Sequence, residues 1–323
     1  MKAKRRTKII IAAALIVVLL INAIGIFAGN FLYNLSMNPD YDRSQVLSAD
    51  HNSIDGWDET KDVHHEEAKA WFGQYATEER TLQSRDGLSL HASAAVRGDG
   101  SHLWAILCHG YTGRGSDNSS AGYHFYENGY NVLLPDARGH GESEGDYIGM
   151  GWDERLDIVD WISQIIDTDP QAQIVLYGVS MGGATVMMVS GEALPENVKA
   201  IIEDCGYTSA WDEFSYQLKM LFKLPEFPIL NYASLVTKIR SGWWIGEGSA
   251  IEQVKKSETP MFFIHGGADT FVPTYMLREV YDAANCEKEI LLVEDAAHAQ
   301  SSVVLGDEYW DRVLSFAGKY VEG

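Results

Sequence analysis

Cysteine is scarce in this sequence, and the few cysteines show no pattern of a disulfide framework or a metal site. The three present, Cys108, Cys205 and Cys286, cannot all pair within one molecule. Neither a C-x-x-C motif nor a zinc-binding spacing occurs. Cys108 and Cys205 end apolar runs, where a buried free thiol is the simpler interpretation. Internal repeats and low-complexity tracts are also absent, so we expect a globular fold without disulfide support.

Basic residues are sparse outside the first eight positions. That segment, MKAKRRTK, holds five of the 25 lysines and arginines, and no acidic residue precedes Asp40. The remainder carries a net charge of about −26 by simple charge counting. Such a surface repels nucleic acid and anionic membranes, so no nucleic-acid partner is expected.

One long apolar run, residues 9–29, contains no charge and only one polar residue, Asn22. As a helix it is long enough to span a bilayer core of about 30 Å. Because basic residues precede it, we expect residues 1–8 to be a cytoplasmic tail and 9–29 a single-pass transmembrane signal anchor, with the acidic body outside the cytoplasm. The alternative is secretion after signal-peptide cleavage near residues 23–25, although such apolar regions are normally shorter.

The rest of the chain divides into a poorly periodic segment and a long α/β pattern. Residues 30–75 are expected to form a juxtamembrane stalk or docking segment. Its cluster His64-His65-Glu66-Glu67 fits a solvated helix face, with metal ligation as the alternative. In residues 76–323, a hairpin signal at Asp86-Gly87 precedes apolar runs that alternate with helical stretches.

This order predicts an α/β domain whose central sheet is mostly parallel, with helices on both faces. Residues 152–166 show apolar positions at three- and four-residue spacing and predict a helix. The runs predicted as strands after the hairpin are Leu103–Leu107, Asn131–Leu134, Gln173–Tyr177, Ala200–Ile202, Met261–Ile264 and Glu289–Val293.

Residues from about 207 to 257 interrupt this alternation with aromatic, irregular sequence. An insertion here would lie above the carboxyl ends of the strands, where ligands bind in such sheets. We expect a short cap that shapes a substrate pocket; the alternative is helices that only cover the sheet edge. The candidate apolar pocket residues, each of which could instead pack in the core, are Trp211, Phe214, Leu218, Met220, Leu221, Phe222, Trp243 and Trp244.

The stretch LYGVSMGG carries the clearest chemical signal. Ser180 stands between Gly178 and Gly182, after a β-rich run and before the small and apolar residues of 181–193. Strand, sharp turn and helix in this order expose a serine hydroxyl above the sheet, and a Cβ on either glycine would collide with neighbouring backbone. The helix N-terminus also directs free N–H groups at the site. Ser180 is the predicted nucleophile.

A serine hydroxyl is a weak nucleophile unless a base takes its proton. His298 follows the last predicted strand, on a loop that can reach back over the strand ends, and is the predicted base. The other candidates lie in glycine-rich loops or at a strand end and are expected to make structural hydrogen bonds: His109, His140 and His265.

The base must in turn be held by an acid. Asp269 lies just past the penultimate predicted strand and is the predicted acid. Glu294 and Asp295 are nearer His298 in sequence, but such adjacency rarely gives the required approach of the side chains. The resulting order of serine, aspartate and histidine is that of proteins with a nucleophile elbow.

Acyl transfer also requires hydrogen-bond donors for the oxyanion of the tetrahedral intermediate. The backbone N–H of Met181, directly after the serine, is one predicted donor. The N–H of Tyr111, in the loop after strand 103–107, is the other, and its phenol is a further candidate donor.

Five motifs in this order resemble the α/β-hydrolase superfamily: HGYTG (109–113), DARGHGES (136–143), GVSMG (178–182), HGGADTFVP (265–273) and the His298 loop. The resemblance extends from about residue 78 to the C-terminus and is greatest to serine hydrolases with a short cap and an N-terminal membrane anchor. It implies the α/β-hydrolase fold and hydrolysis of carboxylic esters, with peptide or amide cleavage in some members. The resemblance does not extend to the cap, so it does not indicate a substrate.

Three functions are compatible with these residues. The first is an esterase for small-molecule esters that works through an acyl-enzyme and requires no metal or organic cofactor. The second is a peptidase for short peptides, with Asp212, Glu213 or Glu226 gripping an amino group. The third is a non-catalytic, membrane-tethered binding protein, although every triad residue and elbow glycine is present. Acyl transfer to an acceptor other than water is a variant of the first.

Overall fold

A computed structural model of the protein describes residues 2–43 and 63–322. The part of the predicted stalk from residue 44 to 62 lies outside these described residues. The remainder of that segment is helical at both ends and packs on the domain, as described below.

Eight strands form one sheet in the order β1-β2-β4-β3-β5-β6-β7-β8. The hairpin of β1 and β2 is antiparallel, and β2 pairs antiparallel with β4. All other neighbours are parallel, which confirms the predicted sheet. The strands are β1 (Glu78–Gln83), β2 (Ser89–Ala95), β3 (Leu103–Cys108), β4 (Asn131–Pro135), β5 (Gln173–Val179), β6 (Val198–Asp204), β7 (Met261–Gly266) and β8 (Lys288–Val293).

Helices cover both faces of the sheet. Ile106 and Leu176 pack into the core on one face, whereas Leu107 and Val175 pack on the other. Because successive side chains of a strand point to opposite faces, strands buried on both sides read as continuous apolar runs. The helices are α1 (Lys2–Met37), α2 (His65–Tyr75), α3 (Ser119–Glu127), α4 (Glu154–Thr168), α5 (Met181–Val189), α6 (Ala210–Phe222), α7 (Ile229–Ser241), α8 (Ala250–Val254), α9 (Tyr275–Ala283), α10 (Ser301–Leu305) and α11 (Asp307–Ala317), with short 3₁₀ turns at Gly115–Asn118 and Ile245–Glu247.

The N-terminal helix α1 extends eight residues past the predicted end of the anchor. Its part from Arg5 to Met37 is long and apolar enough to cross a membrane, and its most apolar window is exposed throughout. Its last turns belong to the folded domain, since Tyr33, Leu35 and Met37 are buried. The membrane candidate and the domain therefore share one continuous helix.

Close packing against α7 holds the end of α1 on the domain. A Cβ on Gly29 would lie 2.6 Å from the carbonyl carbon of Tyr232, and one on Gly25 would overlap the ring of the same tyrosine. Two small residues four apart on a helix allow this approach, as in membrane helix pairs. The spacing Gly25-x-x-x-Gly29 is a sequence signal for this contact.

The helix α2 docks on the other side of the domain. Trp71 is 3% exposed and lies beside Gly122 of α3. At the start of this segment, His64 Nε2 is 2.7 Å from the Asp307 carboxylate. The described part of the predicted stalk is therefore attached to the domain at both ends.

Candidate active site

The turn between β5 and α5 holds Ser180 in a strained backbone conformation. Its φ of 57° and ψ of −118° lie in a region that non-glycine residues rarely adopt. A Cβ on Gly178 would overlap the carbonyl oxygen of Gly182, and a Cβ on Gly182 would overlap that of Cys108. Only glycine allows so close an approach of backbone segments.

Three side chains from separate loops form one hydrogen-bonded chain at the carboxyl ends of the strands. His298 Nε2 is 2.8 Å from Ser180 Oγ, and His298 Nδ1 is 2.7 Å from Asp269 Oδ2. All three residues are buried, with the serine 7% exposed. The predicted nucleophile is thus within hydrogen-bonding distance of the predicted base, and the base is within hydrogen-bonding distance of the predicted acid.

The Asp269 carboxylate is held by further donors. Its Oδ1 accepts the backbone N–H groups of Phe271 and Val272, both at 2.9 Å, and His265 Nε2 is 3.2 Å from Oδ2. Burial alone would raise the pKa of Asp269, but hydrogen bonds from His265 and His298 outweigh it and lower the pKa to about 2. The acid is therefore ionised and fixed in orientation.

The two residues whose backbone N–H groups are predicted as oxyanion donors lie close to Ser180. Met181 is the first residue of α5, so its N–H has no partner within the helix. The loop that carries Tyr111 passes close by, since a Cβ on Gly110 would lie 3.6 Å from Ser180 Cβ. Tyr111 and Met181 line the same pocket as Ser180.

The Tyr111 phenol is engaged elsewhere. Its hydroxyl donates to the carbonyl oxygen of Ser36 and accepts from Arg43 Nε, both at 2.7 Å. Burial raises the pKa of Tyr111 to about 12, so the hydroxyl stays protonated. These partners direct it toward the end of α1, away from the role of an extra oxyanion donor.

Arg43 joins the end of α1 to the predicted oxyanion loop. Its guanidinium donates to the carbonyl oxygens of Leu35 and Tyr41 and lies 5.4 Å from the centre of the Tyr111 ring. The residue is 8% exposed. Sequence analysis missed it because nothing along the chain indicates that residue 43 returns to the strand ends.

A pocket of about 930 Å³, including space open to solvent, begins at Ser180 and Met181. The cap candidates that line it lie on α6: Phe214, Leu218, Leu221 and Phe222. The wall that sequence analysis did not anticipate comes from α1 and α7 and includes Leu32, Leu35, Leu230 and Ala233. Those residues are far apart in the chain, and none of them is marked by a local motif.

The tryptophan candidates are placed elsewhere, and Met220 is not among the lining residues. Trp243 is 3% exposed and packs in the core below Gly248. Trp244 is 43% exposed and lies beside Lys238. Trp211 donates its indole N–H to Glu226 at 3.1 Å. The large apolar surface of an aromatic side chain can be buried in a core, in a pocket or under a neighbouring chain. Composition alone therefore did not show which of these tryptophans line the pocket.

Glu213 is the acidic residue on the pocket wall. One carboxyl oxygen accepts from Gln217 Nε2 at 2.8 Å, and the other has no hydrogen-bond partner among the described residues. Burial raises the pKa of Glu213 to about 8. The group is therefore largely protonated at neutral pH when the pocket holds no cation.

Cys205 approaches the triad closely enough to form, with Asp269 and His298, a group whose ligand atoms lie within 4.8 Å of one another. Burial raises the pKa of the Cys205 thiol well above its usual range. The protonated thiol is a poor metal ligand, and the other two groups already bond each other.

The buried Glu213 predicts a pH effect on stability. A carboxyl group whose pKa is raised in the folded state stabilises the fold fully below its unfolded pKa, and this contribution is lost as pH rises toward about 8. Glu213→Gln keeps the acceptor for Gln217 without a titrating group. We expect the thermal midpoint of the variant minus that of the wild type to increase as the pH is raised from 5 to 8.5. Parallel midpoints across this range would contradict the assignment.

An open, mostly parallel sheet with a serine on a strand–turn–helix elbow is the α/β-hydrolase fold, and the chain has this fold. A family model described as alpha/beta hydrolase fold matches residues 106–227. Among solved structures, the Pyrococcus furiosus esterase Pf2001 superposes with a TM-score of 0.62 at 22% identity, covering 76% of this chain and 93% of that one. An acylaminoacyl peptidase from Pyrococcus horikoshii gives 0.56 at 18% identity, covering 79% and 44%.

Two proteins related in sequence are also similar to this chain. The uncharacterized protein YqkD of Bacillus subtilis is 29% identical over 197 residues, which are 61% of this chain and 65% of that protein. The uncharacterized membrane protein YNL320W of Saccharomyces cerevisiae is 25% identical over 243 residues, covering 74% of this chain and 78% of that one. The exposed apolar helix α1 and the yeast relative both fit membrane anchoring.

Proposed function

We propose that the protein is a serine hydrolase that cleaves carboxylic esters through Ser180, His298 and Asp269. The observation that carries this proposal is the continuous Ser–His–Asp hydrogen-bonded chain, with distances of 2.8 and 2.7 Å, at the start of an apolar pocket. An ionised, doubly anchored aspartate and a serine on a strained turn are the environment that activates such a nucleophile.

The reaction proceeds in two halves. Ser180 Oγ attacks the ester carbonyl carbon while His298 Nε2 takes the hydroxyl proton. The N–H groups of Met181 and Tyr111 stabilise the oxyanion of the tetrahedral intermediate. The intermediate collapses with loss of the alcohol, which receives the proton from His298, and leaves an acyl-serine. Water, deprotonated by His298, then attacks the acyl carbon. The bond to Ser180 Oγ breaks, the serine oxygen takes the proton from His298, and the carboxylic acid leaves.

A peptidase acting on short peptides is the second candidate, and Glu213 is the observation that favours it. An ammonium group bound at its unpaired carboxyl oxygen would ionise this carboxyl and offset the cost of its burial. The structural likeness to an acylaminoacyl peptidase is compatible with this candidate. Glu213→Gln separates the two functions, because it removes the ammonium partner and leaves the apolar wall intact.

We infer that α1 anchors the enzyme in the cell membrane with its N-terminus cytoplasmic and the catalytic domain outside. The basic segment before the apolar run and the acidic body after it support this orientation. Secretion after cleavage within residues 23–25 is disfavoured, because cleavage there would remove the part of α1 that packs on α7 through Gly25.

The proposal is tested with the full-length protein in detergent micelles. We expect it to release p-nitrophenol from p-nitrophenyl butyrate and to be labelled by a fluorophosphonate at Ser180, as located by mass spectrometry of the peptides. Glu213→Gln should keep the ester activity within about twofold, as for a substitution without catalytic contact. Loss of aminoacyl p-nitroanilide turnover in that variant, in a protein with little esterase activity, would instead establish the peptidase. Absence of both turnover and labelling would refute a serine hydrolase.

A further inference from the structure

The pocket extends from the triad toward the membrane end of the domain. The middle of α6 is next to the triad, since Gln217 donates to the carbonyl oxygen of Phe271, whose ring centre lies 4.9 Å from that of His298. Phe222, also on the pocket wall, lies five residues further along α6, or about 7.5 Å at the helical rise. Its ring meets that of Phe31 of α1 edge to face at 6.3 Å. The pocket wall therefore leads from the nucleophile to the helix that fits membrane anchoring.

The helix α7 runs in the same direction as α1. Its contacts with α1 show how far along α1 the segment between α6 and α7 lies. Near its start, the Tyr232 hydroxyl donates to Asn22 Oδ1 at 3.1 Å. Near its end, Arg240 donates to Asn34 Oδ1 at 2.7 Å. The backbone of Tyr232 lies beside Gly29. The first residue of α7, Ile229, precedes Tyr232 by three residues, or about 4.5 Å along the helix, and therefore lies closer to the membrane than Gly29 does.

The loop between α6 and α7, residues 223–228 (the cap loop), lies at this deeper level. Residues 9–29 span about 31 Å as a helix, which matches the hydrocarbon thickness of a bilayer. The start of α7 is level with about residue 26, inside that apolar segment. Phe227 and Leu224 of the cap loop are nevertheless 75% and 41% exposed. A large aromatic side chain exposed at this depth faces lipid.

Charge supports contact with the membrane surface at the same place. The cap loop and the last turn of α6 carry two basic residues, Lys219 and Lys223, and one acidic residue, Glu226. The rest of the body is strongly acidic and would be repelled by anionic lipid. Basic residues next to exposed apolar side chains are the pattern of a membrane-interface element.

We propose that the cap loop inserts into the bilayer beside α1 and that the pocket takes its substrate from the membrane, as a single-chain acyl ester whose chain lies along α6. This inference rests on the proposed ester hydrolysis and narrows its substrate class. Ser180 is 7% exposed, so the acyl carbonyl approaches it through the pocket. Leu221, Phe222 and Leu32 then contact the acyl chain between the membrane and the triad.

Insertion is measured without reference to catalysis. Full-length protein carrying Phe227→Cys is labelled with an environment-sensitive NBD probe and reconstituted in phosphatidylcholine–phosphatidylglycerol vesicles. The matched control is Val96→Cys, at an apolar position that is 42% exposed after β2. We expect lipids with doxyl-labelled chains to quench the probe at 227 and not at 96. A probe at 227 that is shielded without lipid quenching, in a protein of twice the monomer mass by light scattering, would identify a protein interface and overturn the proposal.

Substrate delivery is measured with two esters. Replacing Leu224 and Phe227 together by aspartate is expected to lower oleate release from monooleoylglycerol in the vesicles by about tenfold or more. Turnover of soluble p-nitrophenyl butyrate should stay within about twofold, as for surface substitutions in general. Val96→Asp should leave both rates unchanged. Equal loss with both esters, or no loss of oleate release, would overturn the proposal.

Failure of the underlying function gives a different result. If the wild-type protein releases neither p-nitrophenol nor oleate, ester hydrolysis is refuted, and the proposed substrate class is refuted with it. The quenching measurement still decides whether the cap loop enters the bilayer. Turnover of the soluble ester without turnover of the bilayer ester would refute the membrane substrate alone.

Discussion

Replacing Ser180 by alanine is expected to abolish ester turnover while the fold is retained. Loss of the nucleophile in a Ser–His–Asp enzyme lowers kcat by about a millionfold. The substituted side chain leaves Gly178 and Gly182 in place, and a smaller side chain creates no clash at the elbow. The measurement is p-nitrophenyl butyrate hydrolysis by purified full-length protein, with the thermal midpoint recorded by tryptophan fluorescence.

Ser190 provides a matched control on the same helix. It is a buried serine at the end of α5 whose hydroxyl donates to the carbonyl oxygen of Met187 at 2.7 Å. Ser190→Ala should lower stability by about 1 kcal/mol, the usual loss of one hydrogen bond, and leave kcat nearly unchanged. Equal turnover by wild type and Ser180→Ala would contradict the assignment of the nucleophile.

Asp269→Asn is expected to lower kcat by about ten-thousandfold with little change in structure. The ionised carboxylate accepts the proton on His298 Nδ1, which leaves Nε2 free to take the serine proton. An amide can donate to Nδ1 instead and would favour the tautomer with the proton on Nε2. That tautomer cannot act as the base for Ser180.

The control for this substitution is Asp295→Asn, which changes an exposed acid only three residues before the histidine. Its turnover should stay within about twofold of wild type. Loss of activity in Asp295→Asn, with Asp269→Asn active, would move the role of the acid to the loop of His298. Thermal midpoints of both variants exclude unfolding as the cause.

The elements of the sheet were predictable because their signals are local. The strands from β3 to β7 are buried on both faces, so each appears as a short apolar run, and Asp86-Gly87 marked the hairpin. The elbow at Ser180 was also readable, since a strained turn between strand and helix requires glycine at fixed spacing. Parallel strands place their carboxyl ends at one edge, which made it possible to select Asp269 and His298 before their distances were known.

The pocket wall depended on tertiary structure. Its α1 side is formed by residues nearly 150 positions before Ser180 in the chain, and the only trace of the contact in the sequence is the pair Gly25 and Gly29. The aromatic residues of the cap were equally apolar in sequence, yet Phe222 lines the pocket, Trp243 fills the core and Phe227 faces outward. Hydrophobicity indicates that a side chain avoids water, whereas only the packing of distant helices decides whether core, substrate or membrane covers it.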